Sequence, residues 1–234
     1  MLLDRQGDSV ARNGYEPPPE TKILRKTLAE ALKTKDAQGR VVSSAKHGVY
    51  LFYDYDGEPI YVGQTYERLS GRIRRHLTNQ RTDAVAMNVL DPFEVAEIEM
   101  WPFFDLRNAD TDHAKSVLNR AEYTVYRKAV DASRHGAILN EGDISETEPI
   151  ELPPSVRMPV VPPEVFDERK HPDTRIARRA STIAALARVI SEREVSKGLR
   201  RTLLTQAKRL EYLAFTRLNE ADEPTPVQEP GQEV

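Results

Sequence analysis

The side chains best equipped for chemistry lie between positions 48 and 140: two tyrosines, an arginine, a histidine, a glutamate and an asparagine. Gly48-Val49-Tyr50 and Tyr61-Val62-Gly63 are separated by ten residues that include Asp56-Gly57. An Asp-Gly pair between two apolar–aromatic runs signals a hairpin, which brings both tyrosines to one region of a sheet. Arg72 and His76 are four apart in LSGRIRRHLTNQ and share one face of a helix. Glu122 interrupts the apolar positions of a second helical run, where a charge needs a partner or a metal. Asn140 follows in ILNEG. Gathered in one site, these groups would supply phenols and an imidazole for proton movement, a guanidinium to hold negative charge and one carboxylate. A lone carboxylate excludes the acid pair of a glycoside hydrolase and a two-metal centre built from several acids.

Taken singly, each residue has an ordinary role: strand aromatic, solvated helix arginine, ion-paired glutamate. Their joint order and spacing carry the chemical reading. His47, His113, His135 and His171 have no metal-ligand spacing and read as structural, and Lys115 and Arg120 read as surface groups. With no Cys in the chain there is no thiol nucleophile, thiolate zinc site or disulfide framework.

The elements that must position these residues are an α+β unit over 46–150. HGVYLFY and PIYVG are two antiparallel strands, LSGRIRRHLTNQ a helix with Ser70 near its start, and FEVAEIEMW a third strand. DHAKSVLNRAEYTVYRKAVDAS follows as a long helix, with Val117, Leu118, Ala121, Val125 and Ala129 at helical spacing. This predicts a small three-stranded antiparallel sheet flanked by helices. Before it, residues 1–45 form an N-terminal arm with one helix, on the stripe Ile23, Leu24, Leu28, Ala31 and Leu32. After it, seven of the sixteen prolines fall between Pro149 and Pro172. Residues 151–173 therefore read as an extended connector unable to hold a helix or a central strand. Residues 174–218 read as a helical hairpin, with Ser191 and Glu194 as a capping box at the break and basic outer faces. Residues 219–234, acidic and Pro-rich, read as a disordered tail.

The order Gly-Val-Tyr, ten residues, Tyr-Val-Gly, Arg72, His76 and Glu122 resembles the GIY-YIG nuclease superfamily over about residues 46–142. The spelling Arg-Ile-Arg-Arg-His is most similar to its restriction and homing endonuclease branches. The resemblance implies a phosphodiester hydrolase with one Mg²⁺ or Mn²⁺ per site, held by Glu122. It implies Tyr50 as proton acceptor for the attacking water, Arg72 as the charge that favours its phenolate, and Tyr61 and His76 as orienting groups. His76 is an alternative acceptor, since its ordinary pKa lies nearer 7. Asn140 would bond the phosphate backbone or brace the helix ends, and Gln64, Arg74 and Arg75 would meet nucleic acid. One departure stands out: many members carry Lys or Arg after the second triplet, where this chain has Gln64. That substitution removes a positive charge expected near the tyrosine.

Charge alone does not choose the partner. The chain has 34 Lys and Arg against 37 Asp and Glu, net −3, but residues 168–217 carry a net +8 and residues 218–234 a net −5. Residues 70–81 add four arginines, Arg72, Arg74, Arg75 and Arg81. Basic faces of this kind suit a polyanion as well as plain solvent, and it is the resemblance that makes double-stranded DNA the expected partner. No apolar run is long enough for a membrane span and the first twenty residues lack a signal-peptide pattern, so a cytoplasmic protein is expected. The sequence reading is thus a metal-dependent DNA endonuclease, of restriction or defence type because the further domains of repair subunits are not seen. Its rivals are a repair or recombination nuclease, a catalytically silent nucleic-acid-binding protein of the same fold, and an assembly protein that acts through its C-terminal helices. Cutting both strands with one site per chain would call for a homodimer or sequential nicking.

Overall fold

The computed structural model describes residues 19–78 and 89–221. The two tyrosine-bearing runs form β1 (Gly48–Tyr53) and β2 (Pro59–Thr65), antiparallel, with Tyr50 opposite Gly63 and Phe52 opposite Tyr61. In the turn between them Gly57 takes φ +70°, a left-handed conformation that glycine adopts without strain. There the Asp54 carboxylate accepts the N–H groups of Asp56 and Glu58 at 2.9 and 3.1 Å. β3 (Glu97–Pro102) pairs with the other side of β1.

The sheet has four strands, not the three expected from sequence, in the order β2-β1-β3-β4. The fourth, β4 (Val156–Pro159), comes from the proline-rich connector. Proline is tolerated there because the strand lies at the sheet edge. Its Arg157 ion-pairs with Glu97 across the ladder and stacks 3.6 Å over the Tyr53 ring. The same connector also holds a helix that the sequence reading excluded, α4 (Pro163–Lys170). Pro163, however, occupies the first helical turn, where a missing N–H costs nothing and the fixed φ suits a helix.

Alternation along the strands gives the sheet two apolar faces. Tyr50, Phe52, Tyr61, Ile98 and Met100 face α1 (Pro19–Ala31) and α2 (Leu69–Leu77), meeting Leu28, Leu69, Ile73 and Leu77. Val49, Leu51, Val62 and Trp101 face α3 (Thr111–Ala132), meeting Leu118, Ala121, Val125 and Ala129. Asp110 caps α3 by accepting the His113 N–H at 2.9 Å. The helix bearing Arg72 and His76 and the helix bearing Glu122 therefore lie on opposite faces of the sheet.

The C-terminal helices are α5 (Pro172–Glu192) and α6 (Lys197–Ala221), packed as a hairpin. Ser191 lies inside α5, its hydroxyl donating to Arg188 O. The residue that caps α6 is Ser196, whose Oγ accepts the Leu199 N–H at 3.2 Å. The faces of this pair are not uniformly basic and outward, as expected from sequence. Arg175, Arg179 and Arg209 are buried, and all three donate to one oxygen of Asp54 in the β1–β2 turn, at 3.1, 3.0 and 2.7 Å. Arg179 also reaches Glu94 at 2.9 Å. Burial disfavours the Asp54 anion, but the three guanidinium groups outweigh it and hold its pKa below the usual range. Buried charges persist only when paired, so this cluster fastens the hairpin to the sheet. Residues 219–221, expected in a disordered tail, end α6. Arg81, residues 1–18 and residues 222–234 lie outside the described residues. Among the described residues no helix is long and apolar enough to cross a membrane.

Candidate active site

Both glycines of the paired triplets are required by close approach. A Cβ on Gly63 would lie 2.5 Å from Tyr50 Cζ, because the Tyr50 ring lies directly over its cross-strand partner. A Cβ on Gly48 would come within 2.6 to 2.9 Å of the Leu69 side chain, which opens α2. The triplets thus leave room for a phenol on one strand and for the seating of α2 on the other.

That seating aims α2 at Tyr50. The Tyr50 hydroxyl lies 2.9 Å from His76 Nε2. Arg72, four residues earlier on the same face, also hydrogen-bonds the Tyr50 hydroxyl. Burial disfavours the Arg72 charge, yet the oxygens of Tyr50 and Tyr61 outweigh that penalty and raise its pKa above the ordinary value. The guanidinium is therefore permanently charged beside the phenol. Its Nε is buried and, among the described residues, has no hydrogen-bond partner, which leaves it a donor for an anionic oxygen. The Tyr61 ring stacks on Tyr50 with centroids 6.5 Å apart and lies 5.1 Å from the His76 ring. Tyr50, Tyr61 and His76 are all buried, whereas Arg72 is half-buried and forms the accessible side of the group.

Glu122 approaches from the opposite face, around the free edge of β2. Leu139 N–H donates to Ile60 O at 2.8 Å. The Asn140 amide then takes both backbone groups of Val62, donating to its carbonyl at 2.8 Å and accepting its N–H at 3.1 Å. Two positions further along, the Gln64 side-chain amide donates to Glu122 Oε2 at 3.0 Å. At Val62 a side-chain amide thereby takes the place of a neighbouring strand. Asn140 braces β2 behind the tyrosines, with its amide oxygen and one amide N–H engaged.

The Glu122 carboxyl is pushed up to about 7, chiefly by burial, against the opposing effects of the Gln64 donors and the Arg72 charge. The other residues drawn from sequence are more scattered. Gln64 lies on the α3 side of β2, away from Tyr50, and its Nε2 donates to Glu122 Oε2 at 3.0 Å. Arg74 is exposed on α2, and Arg75 forms a surface ion pair with Glu67 at 2.7 Å. One neighbour escapes the sequence reading. Asn119 accepts from Gln64 Nε2 at 2.8 Å, and Tyr66, exposed at the rim and close to Gln64 in sequence, reaches the same Asn119 oxygen at 3.4 Å. Asn119 carries a signal of its own, since it stands one helical turn before Glu122.

Among the described residues no cluster of three His or acidic groups could cage a metal. The β2 edge offers instead a single carboxylate with no Lys or Arg in ion-pair contact among the described residues, beside a buried acceptor, Gln64 Oε1, that has no hydrogen-bond partner. These oxygens fit a hard divalent cation that keeps several waters and is completed by a substrate phosphate. They do not suit a metal that needs nitrogen or sulfur ligands. In comparison with known families, residues 46–106 match the model described as the GIY-YIG catalytic domain. No curated protein and no solved structure matches the chain.

Proposed function

We propose, on the premise that residues 46–106 are a domain of the GIY-YIG nuclease superfamily, that this protein is a divalent-metal-dependent endonuclease acting on double-stranded DNA. The observation that carries this reading is the Tyr50 hydroxyl held between His76 and Arg72. The attacking water gives a proton to Tyr50 Oη as the Tyr50 proton moves to His76 Nε2, so that the imidazole ends as the acceptor. The oxygen of that water bonds to phosphorus, the bond from phosphorus to the 3′ oxygen breaks, and the departing oxygen takes a proton from solvent. Arg72 faces the growing negative charge of the phosphoryl group, with its unpaired Nε as donor. Glu122 would hold a divalent cation, which would supply further charge stabilisation to the reacting phosphate. Tyr61 packs Tyr50 in place, and Asn140 keeps the edge of β2 straight.

Gln64 does not weaken this reading. It lies on the Glu122 side of the strand, and the charge beside Tyr50 comes from Arg72. A restriction or defence role is part of the proposal and rests on the Arg-x-x-x-His spelling. The test is single-turnover cleavage of duplex DNA by Tyr50→Phe, His76→Ala and the double variant. A shared proton path predicts that each single variant loses at least a hundredfold and that the double variant is little worse. Multiplicative losses would separate the two residues and remove the relay.

A further inference from the structure

The outer edge of β2 holds a polar cluster that the proton relay does not use. Gln64 Nε2 carries two protons, and both are engaged: one on Asn119 Oδ1 at 2.8 Å, the other on Glu122 Oε2 at 3.0 Å. Asn119 and Glu122 are one turn apart on α3, so the two acceptors present themselves side by side. This orientation leaves Gln64 Oε1 buried and, among the described residues, unpartnered. Buried acceptors are rarely left unpaired, because losing water without a replacement is costly. An amide that pins a carboxylate with one end and keeps a bare oxygen at the other is arranged for a hydrated cation.

We propose that Gln64 is a positioning residue for the cation at Glu122: its Nε2 fixes the carboxylate, and its buried Oε1 accepts a hydrogen bond from the cation's water shell. The inference rests on reading Glu122 as the cation ligand. It assigns chemistry to the position where a lysine was expected from the resemblance. A lysine ammonium in place of the Gln64 amide could still donate to Glu122, but it has no oxygen to accept a hydrogen bond from the cation's water shell. Gln64→Met keeps the volume and removes both polar ends. Gln64→Glu adds a negative oxygen beside Glu122, so cation binding should tighten even though the two carboxylates repel when the cation is absent.

The experiment is titration of the full chain at pH 8 with Mn²⁺ alone, without DNA, counting free Mn²⁺ by electron paramagnetic resonance. Wild type should bind one ion, and Glu122→Ala should lose it. Gln64→Met should weaken binding by roughly 10- to 100-fold, the usual effect of removing a group that orients a metal ligand. Gln64→Lys should weaken it at least as much, and Gln64→Glu should bind more tightly than wild type. The loss in the neutral Gln64→Met reports the amide itself, because opposite signs for Lys and Glu would follow from charge alone. If Gln64→Met fails to fold by circular dichroism, Gln64→Leu, also neutral and unable to donate or accept, takes its place. If Glu122→Ala abolishes binding while the folded neutral Gln64 variant stays within twofold of wild type, the role of Gln64 is overturned and Glu122 stands. If wild type binds no Mn²⁺, or Glu122→Ala still binds it, the reading of Glu122 fails and this inference falls with it.

Discussion

Replacing Glu122 by Gln should abolish metal-dependent cleavage and, at alkaline pH, make the protein more stable. The carboxyl is raised from an ordinary 4.5 to about 7, mainly by burial. Between those values the folded state binds more protons than the unfolded chain, so wild-type stability falls as pH rises through the window. Fully developed above pH 7, the difference amounts to about 3 kcal/mol, at 1.36 kcal/mol for each pH unit. A glutamine is neutral throughout, and its carbonyl can still accept from Gln64. At pH 8 the variant should therefore gain about 3 kcal/mol over wild type, or roughly 6–12 °C in Tm for a chain of this size. At pH 4.5 the gain should nearly vanish. Urea melts of both proteins at pH 4.5, 6 and 8, in EDTA, measure this directly. Added Mg²⁺ at pH 8 should narrow the gap, because a cation that binds only folded wild type stabilises it by mass action. A difference that does not change with pH, or a less stable variant at pH 8, would refute the argument that burial strains this carboxylate.

Two further perturbations probe the frame around the site. Asp54→Ala strands three buried guanidinium groups and should cost about 3–5 kcal/mol. Limited proteolysis should then cut first between α5 and the end of α6, and unchanged protection there would show that apolar packing alone holds the hairpin. Gly63→Ala must displace the Tyr50 ring. It should cost about 1–3 kcal/mol through overpacking and lower the cleavage rate by roughly a hundredfold, because Tyr50 loses its register with His76. Near-normal turnover would mean that the phenol position is not critical.

The parts of the fold that were legible in the sequence are those with local signals. Asp56-Gly57 set the hairpin, period-3.6 apolar spacing set α3, and Arg72 and His76 four apart set the side of α2 that meets Tyr50. What escaped depends on contacts distant in sequence. β4 exists because β3 offers it an unpaired edge, a fact carried by Glu97–Met100 and not by the prolines around Val156. The inward turn of Arg175, Arg179 and Arg209 depends on an aspartate more than 120 positions earlier; from the helices alone these arginines look like a solvated basic stripe. Glu122 was recognisable as a charge on an apolar face. Its partnership with Gln64 and Asn119 was not, because it requires knowing that α3 crosses the edge of β2. The same ignorance made Gln64 look like a deficit beside Tyr50, when its side chain lies on the other face of the strand.

The central claim is tested most directly by incubating the purified chain with supercoiled plasmid, linear duplex and single-stranded DNA in Mg²⁺, in Mn²⁺ and in EDTA, beside Glu122→Ala. The account predicts cleavage of duplex DNA that requires the cation and disappears in the variant, which should still bind DNA. Discrete fragments would further support a restriction role. Salt-sensitive DNA binding with no cleavage in either metal, or cleavage that survives in Glu122→Ala, would contradict it.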